Sequence, residues 1–244
     1  MVPMKKYFRT LTACLILGTA FTAADIFAKS AKTSNPKSKP FPLQYVLQEI
    51  RGNVLIRDKK TGKTERALEE ETIQSGDEVM TQSGSKASLT LNKNTMFHLY
   101  ENTKIKVDQL AHQKTNPGFI SRLSLFSGKI LSEVEDLKKS HSSFEISSGG
   151  IVCGVRGTAF TVENQGKSVQ TSTYHGVVEV EKDGQSKRVE ADQNLDFAFD
   201  KDTFLPKRTL TQKEREYYLD WLKQKALSSG SFWNAKPSST PCRP

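Results

Sequence analysis

Between residues 43 and 199 the apolar side chains of this chain fall on every second position, in short runs broken by Gly, Asn, Asp and Ser. Alternation with period two puts one face of an extended segment in a core and the other in water, and a helix cannot gather such a pattern onto one side. Val54-Leu55-Ile56, Ala87-Ser88-Leu89-Thr90-Leu91, the run 95–100 with Phe97 and Leu99 on one face, and Ile105-Lys106-Val107 all read this way. Further strands are predicted over 119–125, 129–134, 144–147, 158–162, 168–174, 177–181, 186–190 and 194–199.

The breaks carry their own chemistry. Lys60-Thr61-Gly62-Lys63, Glu163-Asn164-Gln165-Gly166 and Lys182-Asp183-Gly184-Gln185 supply residues that tolerate positive φ in hairpin turns. A loose internal repeat also appears. Leu125-Phe126-Ser127-Gly128-Lys129-Ile130 resembles Thr173-Tyr174-His175-Gly176-Val177-Val178, and Glu49-Ile50-Arg51-Gly52-Asn53-Val54 is a poorer copy. Each reads as strand, glycine corner, strand, which suits a chain bending over a core. The expected fold is all-β, a compact β-sandwich or solenoid-like stacking of short strands, with one C-terminal α-helix. That helix is signalled by Thr211-Gln212-Lys213-Glu214, a capping box, followed by Tyr218, Trp221, Leu222 and Lys225 at helical spacing. Tyr218 and Trp221 are expected to pack on the β domain rather than to face a partner.

The ends differ from the middle. Lys5, Lys6 and Arg9 precede an uncharged, apolar or small run at 11–24, then small residues, which is the layout of a secretory signal peptide. Cleavage is expected after Ala24, Ala28 or Ser30. Leu11-Thr12-Ala13-Cys14 matches a lipobox in letters but opens the apolar run instead of closing it, which argues against lipid anchoring at Cys14. No later stretch is long and apolar enough to span a bilayer. The organisation expected is a signal peptide at 1–28, a linker at 29–42, a β domain at 43–205, a helical segment at 206–228 and a tail at 229–244. The product is expected in the periplasm or secreted, with no transmembrane segment after cleavage.

The formal net charge is +9, but residues 29–42 carry +4 and residues 206–244 carry +5, whereas 43–205 holds 21 basic and 23 acidic residues. A nucleic-acid binder needs its basic face on the fold itself, so nucleic acid is excluded as a partner. Cys153 and Cys242 are expected to outlast cleavage. A disulfide between them is one reading and a buried free thiol at Cys153 the other.

Catalytic and metal motifs are missing. His98, His112, His141 and His175 are scattered, with no His-x-His or Cys-x-x-Cys spacing, and no nucleophile elbow, P-loop or dinucleotide fingerprint occurs. Carboxylates such as Glu133/Glu135/Asp136 and Glu69-Glu70-Glu71 read as solvated edges and loops. The chain is read as a non-enzyme without a cofactor. One stretch stands apart: residues 149–162 place four glycines around an apolar run containing a single Arg156. Arg156 is expected to staple a strand crossing, forking to a carboxylate or to backbone carbonyls.

Gly154-Val155-Arg156-Gly157-Thr158-Ala159-Phe160-Thr161-Val162 resembles the signature of FecR-type domains, and Val169 to Gly176 followed by Val177-Val178-Glu179-Val180 resembles that family's strand, Gly corner and second strand. Upstream, Ile73-Gln74-Ser75-Gly76-Asp77-Glu78-Val79-Met80-Thr81 resembles its Gly-Asp turn, and the likeness runs over about residues 45–200. The chain departs from the pattern at Ser147-Ser148, where Thr-Pro is frequent, at Ala159, where an acid is common, and at Asp192, where Gly is usual. The resemblance implies an all-β domain outside the cytoplasmic membrane, with Gly154, Val155, Arg156, Gly157, Thr158, Phe160 and Gly176 as motif residues of structural role. Its best-known relatives sense iron uptake and control a sigma factor through a cytoplasmic segment and a membrane helix, neither of which is expected here. The function expected is a protein-interaction or sensory module of the bacterial envelope. A glycan binder using Phe97, Tyr100 or Tyr174 and an enzyme of unrecognised type are the alternatives.

Overall fold

The computed structural model describes residues 43–92, 95–113, 118–134, 141–155 and 157–228. In chain order the strands are β1 (Tyr45–Arg51), β2 (Val54–Arg57), β3 (Thr64–Arg66), β4 (Thr72–Ile73), β5 (Glu78–Thr81) and β6 (Lys86–Asn92). Then come β7 (Thr95–Leu99), β8 (Lys104–His112), β9 (Phe119–Glu133), β10 (Ser143–Ser148), β11 (Ile151–Val155) and β12 (Ala159–Asn164). The last are β13 (Ser168–His175), β14 (Val177–Lys182), β15 (Gln185–Glu190), β16 (Gln193–Ala198), β17 (Thr203–Phe204) and β18 (Arg208–Thr209), followed by α1 (Gln212–Ser228).

These strands form two sheets over one core. Sheet I runs β4-β1-β6-β7-β9-β12-β13-β16, antiparallel throughout, with β17 and β18 both on β16. Sheet II runs β3-β2-β5-β8-β9-β10-β11-β14-β15, antiparallel except for the parallel β9–β10 pair. Strand β9 belongs to both: its first part pairs with β8 and β10, and from Gly128 onward it pairs with β12.

The glycine repeat marks the places where the chain changes sheet. Gly52 links β1 to β2, Gly128 bends β9, and Gly176 links β13 to β14, with φ of 83°, 84° and 80°. Each corner presses on a hydroxyl residue: a Cβ on Gly52 would meet Ser85 Oγ at 2.5 Å, and one on Gly128 would meet Thr103 Oγ1 at 2.4 Å. Ser85 Oγ accepts from Asn53 N–H at 2.8 Å, and Thr103 Oγ1 from Lys129 N–H at 3.0 Å. The left-handed backbone and the missing side chain are both needed for so sharp a crossing.

The inner faces interlock through large side chains. Phe97 of sheet I stacks on Phe144 of sheet II at 4.9 Å between centroids, and Tyr45 meets Phe97 edge-on at 5.5 Å. The Tyr45 hydroxyl hydrogen-bonds Ser121 Oγ across the layers. All of these side chains are buried, and each fully buried aromatic contributes roughly 2–3 kcal/mol.

The expected fold class holds. Two details differ from the sequence reading. The segments 119–125 and 129–134 are one bent strand, because Gly128 turns β9 without breaking its ladder. Strands β3, β4, β5, β11, β17 and β18 were not expected: β5 follows a Gly-Asp turn, β11 is an apolar run without clean alternation, and β4, β17 and β18 are two residues each, too short to show a period. The signal region, the linker, Cys14, Arg156, Cys242 and the tail lie outside the described residues.

Candidate interaction groove

Register gathers the motif residues at one place. Gly154 in β11 sits opposite Glu145 of β10 and Glu179 of β14. Val155 turns inward and is 5% exposed, and Phe160 is wholly buried. Thr158 is 1% exposed and closes the crossing. Its N–H donates to Val134 O at 3.1 Å, its carbonyl accepts from Val134 N–H at 3.0 Å, and its hydroxyl donates to Val177 O at 3.1 Å. Gly157 has φ 76°, and a Cβ on Gly176 would lie 2.6 Å from Gly157 O. The motif is thus a corner in which two glycines pass at backbone contact, pinned by a buried threonine.

Beside this corner opens a cleft of about 980 Å³, with Gly154 and Gly157 in its wall and Glu133, Glu145, Glu179, His175 and Arg188 around it. Gly154 differs from its neighbours. Its φ is not positive, and a Cβ there would approach nothing closer than Glu179 O at 3.9 Å. The glycine leaves a gap in a cross-strand row that otherwise reads Gln109, Arg122, Glu145, Glu179, Arg188. Glu145 is paired with Arg122 Nε at 2.7 Å, Glu179 accepts from Ser186 Oγ at 3.0 Å, and Glu133 is paired with Lys225 of α1. Arg122 on Glu145, Lys225 on Glu133 and Arg188 opposite Glu179 make the cleft wall an alternation of charges, and of its three carboxylates Glu179 is the one bonded to a hydroxyl and not to a cation, which suits it to a cationic side chain.

Glu145, Glu179 and Arg188 carried no signal in the sequence, since only strand register brings these distant positions together. His175 was legible as a corner residue, and Glu133 belongs to a carboxylate cluster read as solvated. The motif positions Gly154, Val155, Gly157, Thr158, Phe160 and Gly176 all meet here.

The strongly shifted groups lie elsewhere and have structural causes. His98 is buried and lowered to about 4 by desolvation, with Lys86 and Arg51 adding to it, and its Nδ1 lies 3.1 Å from Ser88 Oγ. Cys153 is a free, buried thiol raised to about 11 by desolvation, 3.5 Å from Thr171 Oγ1. Among the described residues no group of three His, Cys, Asp or Glu could hold a metal ion. The aromatic platform considered for sugars is covered: Phe97 is fully buried, Tyr174 stacks on Tyr218 at 4.6 Å, and Tyr100 meets Tyr217 at 6.0 Å.

The helix begins as its capping box dictates. Glu214 N–H donates to Thr211 Oγ1 at 3.3 Å, and Thr211 N–H donates to Glu214 Oε2 at 2.7 Å. Arg208 forks onto Glu214 at 2.8 and 2.7 Å, and this pair holds the Glu214 carboxyl down at about 2. Asp192 holds a left-handed φ of 64° and receives Arg215 at 2.7 and 2.9 Å, so the aspartate found where glycine is usual serves as an anchor for α1. No described helix is long and apolar enough to cross a membrane.

Two crystal structures of a protein assigned as an anti-sigma factor from Parabacteroides distasonis ATCC 8503 are similar, at 17% and 18% identity, each with a TM-score of 0.48. Each match covers 58% of this chain, which spans 64% and 63% of the length of the two matched chains. No curated protein sequence matches the chain. The family model described as FecR protein matches residues 77–179, from the turn before β5 into β14 and across the whole motif corner. Residues 77–179 of this chain are a FecR domain.

Proposed function

We propose that this chain is an exported, non-enzymatic sensory module of the bacterial cell envelope, which engages a protein partner by contact at the motif groove. The observation that carries this reading is the groove itself: an open, charge-lined cleft whose wall is the FecR motif corner. The Thr158 hydroxyl beside it is spent on Val177 O, and Cys153 is buried, so neither is presented as a nucleophile. The matching segment on the partner is a strand or loop carrying Lys or Arg, placed by Glu145 and Glu179 across the gap at Gly154. A groove lined with charge selects partners by charge more than by area.

The test is site-specific photocrosslinking in cells, followed by mass spectrometry. A photoreactive residue at position 179 or 188 is expected to capture a discrete protein partner outside the cytoplasm. The same residue at position 66, on the far strand β3, is expected to capture none. Adducts at 66 with none at 179 or 188, or a chain that remains in the cytoplasm on fractionation, overturn the reading.

A further inference from the structure

The outer face of sheet I is polar although it is covered. One cross-strand row on it reads Ser88, His98, Leu131, Thr161, Ser172, Asn194. Every member is 5% exposed or less. A sheet face meant to be shut for good is ordinarily apolar, because each buried polar group needs a partner. Here two acceptors have none: Asn194 Oδ1 and Asp196 Oδ1 are both buried without a hydrogen bond.

The cover is α1, and it is held mainly at its rim. Arg215 reaches Asp192 beside β16, Arg208 of β18 reaches Glu214, and Lys225 reaches Glu133 at the end of β9. Between these pins the contact is aromatic: Tyr218 on Tyr174, Tyr217 on Tyr100, and Lys129 Nζ 4.3 Å from the Tyr217 ring. Trp221 is the helix side chain that is truly buried, at 5%, while Leu219 on the same helix is 51% exposed. Of the rim pairs, Arg215–Asp192 is half-exposed and screened by water, Lys225–Glu133 is part-buried, and Arg208–Glu214 is the firm one, a fork onto a carboxylate that is 13% exposed. The attachment ends sharply. Leu210 stays in the fold, 4% exposed, with its N–H on Asp192 O at 3.0 Å, and the helix cap begins at the next residue.

We propose that the outer face of sheet I is a helix-docking surface that α1 occupies in cis as a detachable strap. The partner that fits it is an amphipathic helix supplied in trans, with α1's own chemistry. That helix carries an acid in its first turn for Arg208, a basic residue next to it for Asp192, a Tyr/Trp ridge for Tyr174 and Tyr100, and a lysine in its last turn for Glu133. Charge complementarity at both ends of the face sets the register and direction of the incoming helix. Lifting the strap at Thr211 gives the two orphaned acceptors access to water or to donors on the partner.

The test uses the full chain and a fluorescein-labelled peptide of residues 211–228 as the probe helix. Arg215→Ala with Trp221→Ala weakens the strap from the helix side and leaves the sheet face unaltered. The peptide is expected to bind this variant about tenfold or more tightly than the unaltered chain, where it must displace an intramolecular competitor. Hydrogen exchange of amides 213–225 is expected to quicken about tenfold in the variant while amides 160–174 keep their protection. Equal peptide binding to both chains overturns the proposal. Loss of protection at 160–174 together with the helix overturns it too, since α1 would then be part of the cooperative core. Should the double variant fail to accumulate, Arg215→Ala alone, whose partners are both half-exposed, is read by the same exchange experiment. Faster exchange confined to 213–225 supports the strap, and unchanged exchange there defeats it.

Discussion

The two sheets share a core and differ in what they do with their outer faces. Sheet II shows water a ladder of charge, Arg57, Glu78, Lys106 in one row and Arg122, Glu145, Glu179, Arg188 in another. Sheet I presents hydroxyls, an amide and an imidazole, and hides them under α1. Exposed charge keeps a sheet solvated and open to recognition, whereas a polar but uncharged face tolerates a cover that is not apolar. The difference separates two sites on one body, an open charged groove and a face that is held shut.

The largest expected effect tests the premise that the two faces belong to one body. Gly176 carries the chain from sheet I to sheet II with φ 80°, and a Cβ there would sit 2.6 Å from Gly157 O. Gly176→Ala is expected to cost about 3 kcal/mol, combining left-handed strain with overpacking. Denaturant unfolding followed by tryptophan fluorescence measures it. A loss below about 1 kcal/mol would mean that the sheets are not joined through this corner as described.

The next effect probes the covered face by pH. His98 lies under the cover, buried and lowered to about 4 from 6.5. Below pH 6.5 the unfolded chain takes up a proton that the folded chain refuses, so stability falls with falling pH and levels off near pH 4. The slope is at most about 1.4 kcal/mol per pH unit for one proton, and the total at most about 3.4 kcal/mol. His98→Gln is expected to flatten the profile between pH 6.5 and 4. Glu214 gives a loss of the same sign in a lower window: its carboxyl is lowered to about 2, so its contribution is complete above pH 4.5 and fades as pH falls toward 2. A profile with loss only below pH 4 would assign the acid sensitivity to Glu214 and remove His98 from the account.

A smaller effect concerns the anchor. Asp192→Asn keeps a residue that tolerates the left-handed backbone and removes the charge that holds Arg215. The expected loss of global stability is small, because both side chains are half-exposed and screened by water, and exchange of the α1 amides is its sensitive readout. Asp192→Gly separates backbone from charge: if it behaves like the Asn variant, the ion pair and not the φ angle ties the helix down.

The sequence disclosed the framework more fully than the sites. Alternation identified the strands with apolar inner faces, the glycine repeat located the sheet crossings, and Thr211 with Glu214 located the helix start. Short polar strands such as β3, exposed throughout, carry no such period. The groove was invisible for a different reason. Glu145, Glu179 and Arg188 are unremarkable surface residues until register aligns them, and register is a long-range property that no local window holds. The unusual block at 149–162 did mark the right place. What it could not tell is that its glycines have different jobs: Gly149 and Gly150 turn β10 into β11, Gly157 meets Gly176 at the crossing, and Gly154 leaves a gap.

That division of labour supplies the smallest expected change in stability and the sharpest contrast between the faces. Gly154 has an ordinary strand φ and open space where a Cβ would be, with Glu179 O at 3.9 Å as the nearest atom. Gly154→Ala is therefore expected to be neutral or to stabilise the fold by about 0.5 kcal/mol, the usual gain when a strand glycine acquires a fitting side chain. Gly154→Leu places a larger side chain in the gap between Glu145 and Glu179 without touching the core behind it. If the gap is where a partner's cationic residue enters, the leucine variant folds normally and loses the crosslink at position 188, while the alanine variant keeps most of it. A leucine variant that folds and retains full crosslinking would show that the partner passes over this row without entering it, and would move recognition away from the motif wall.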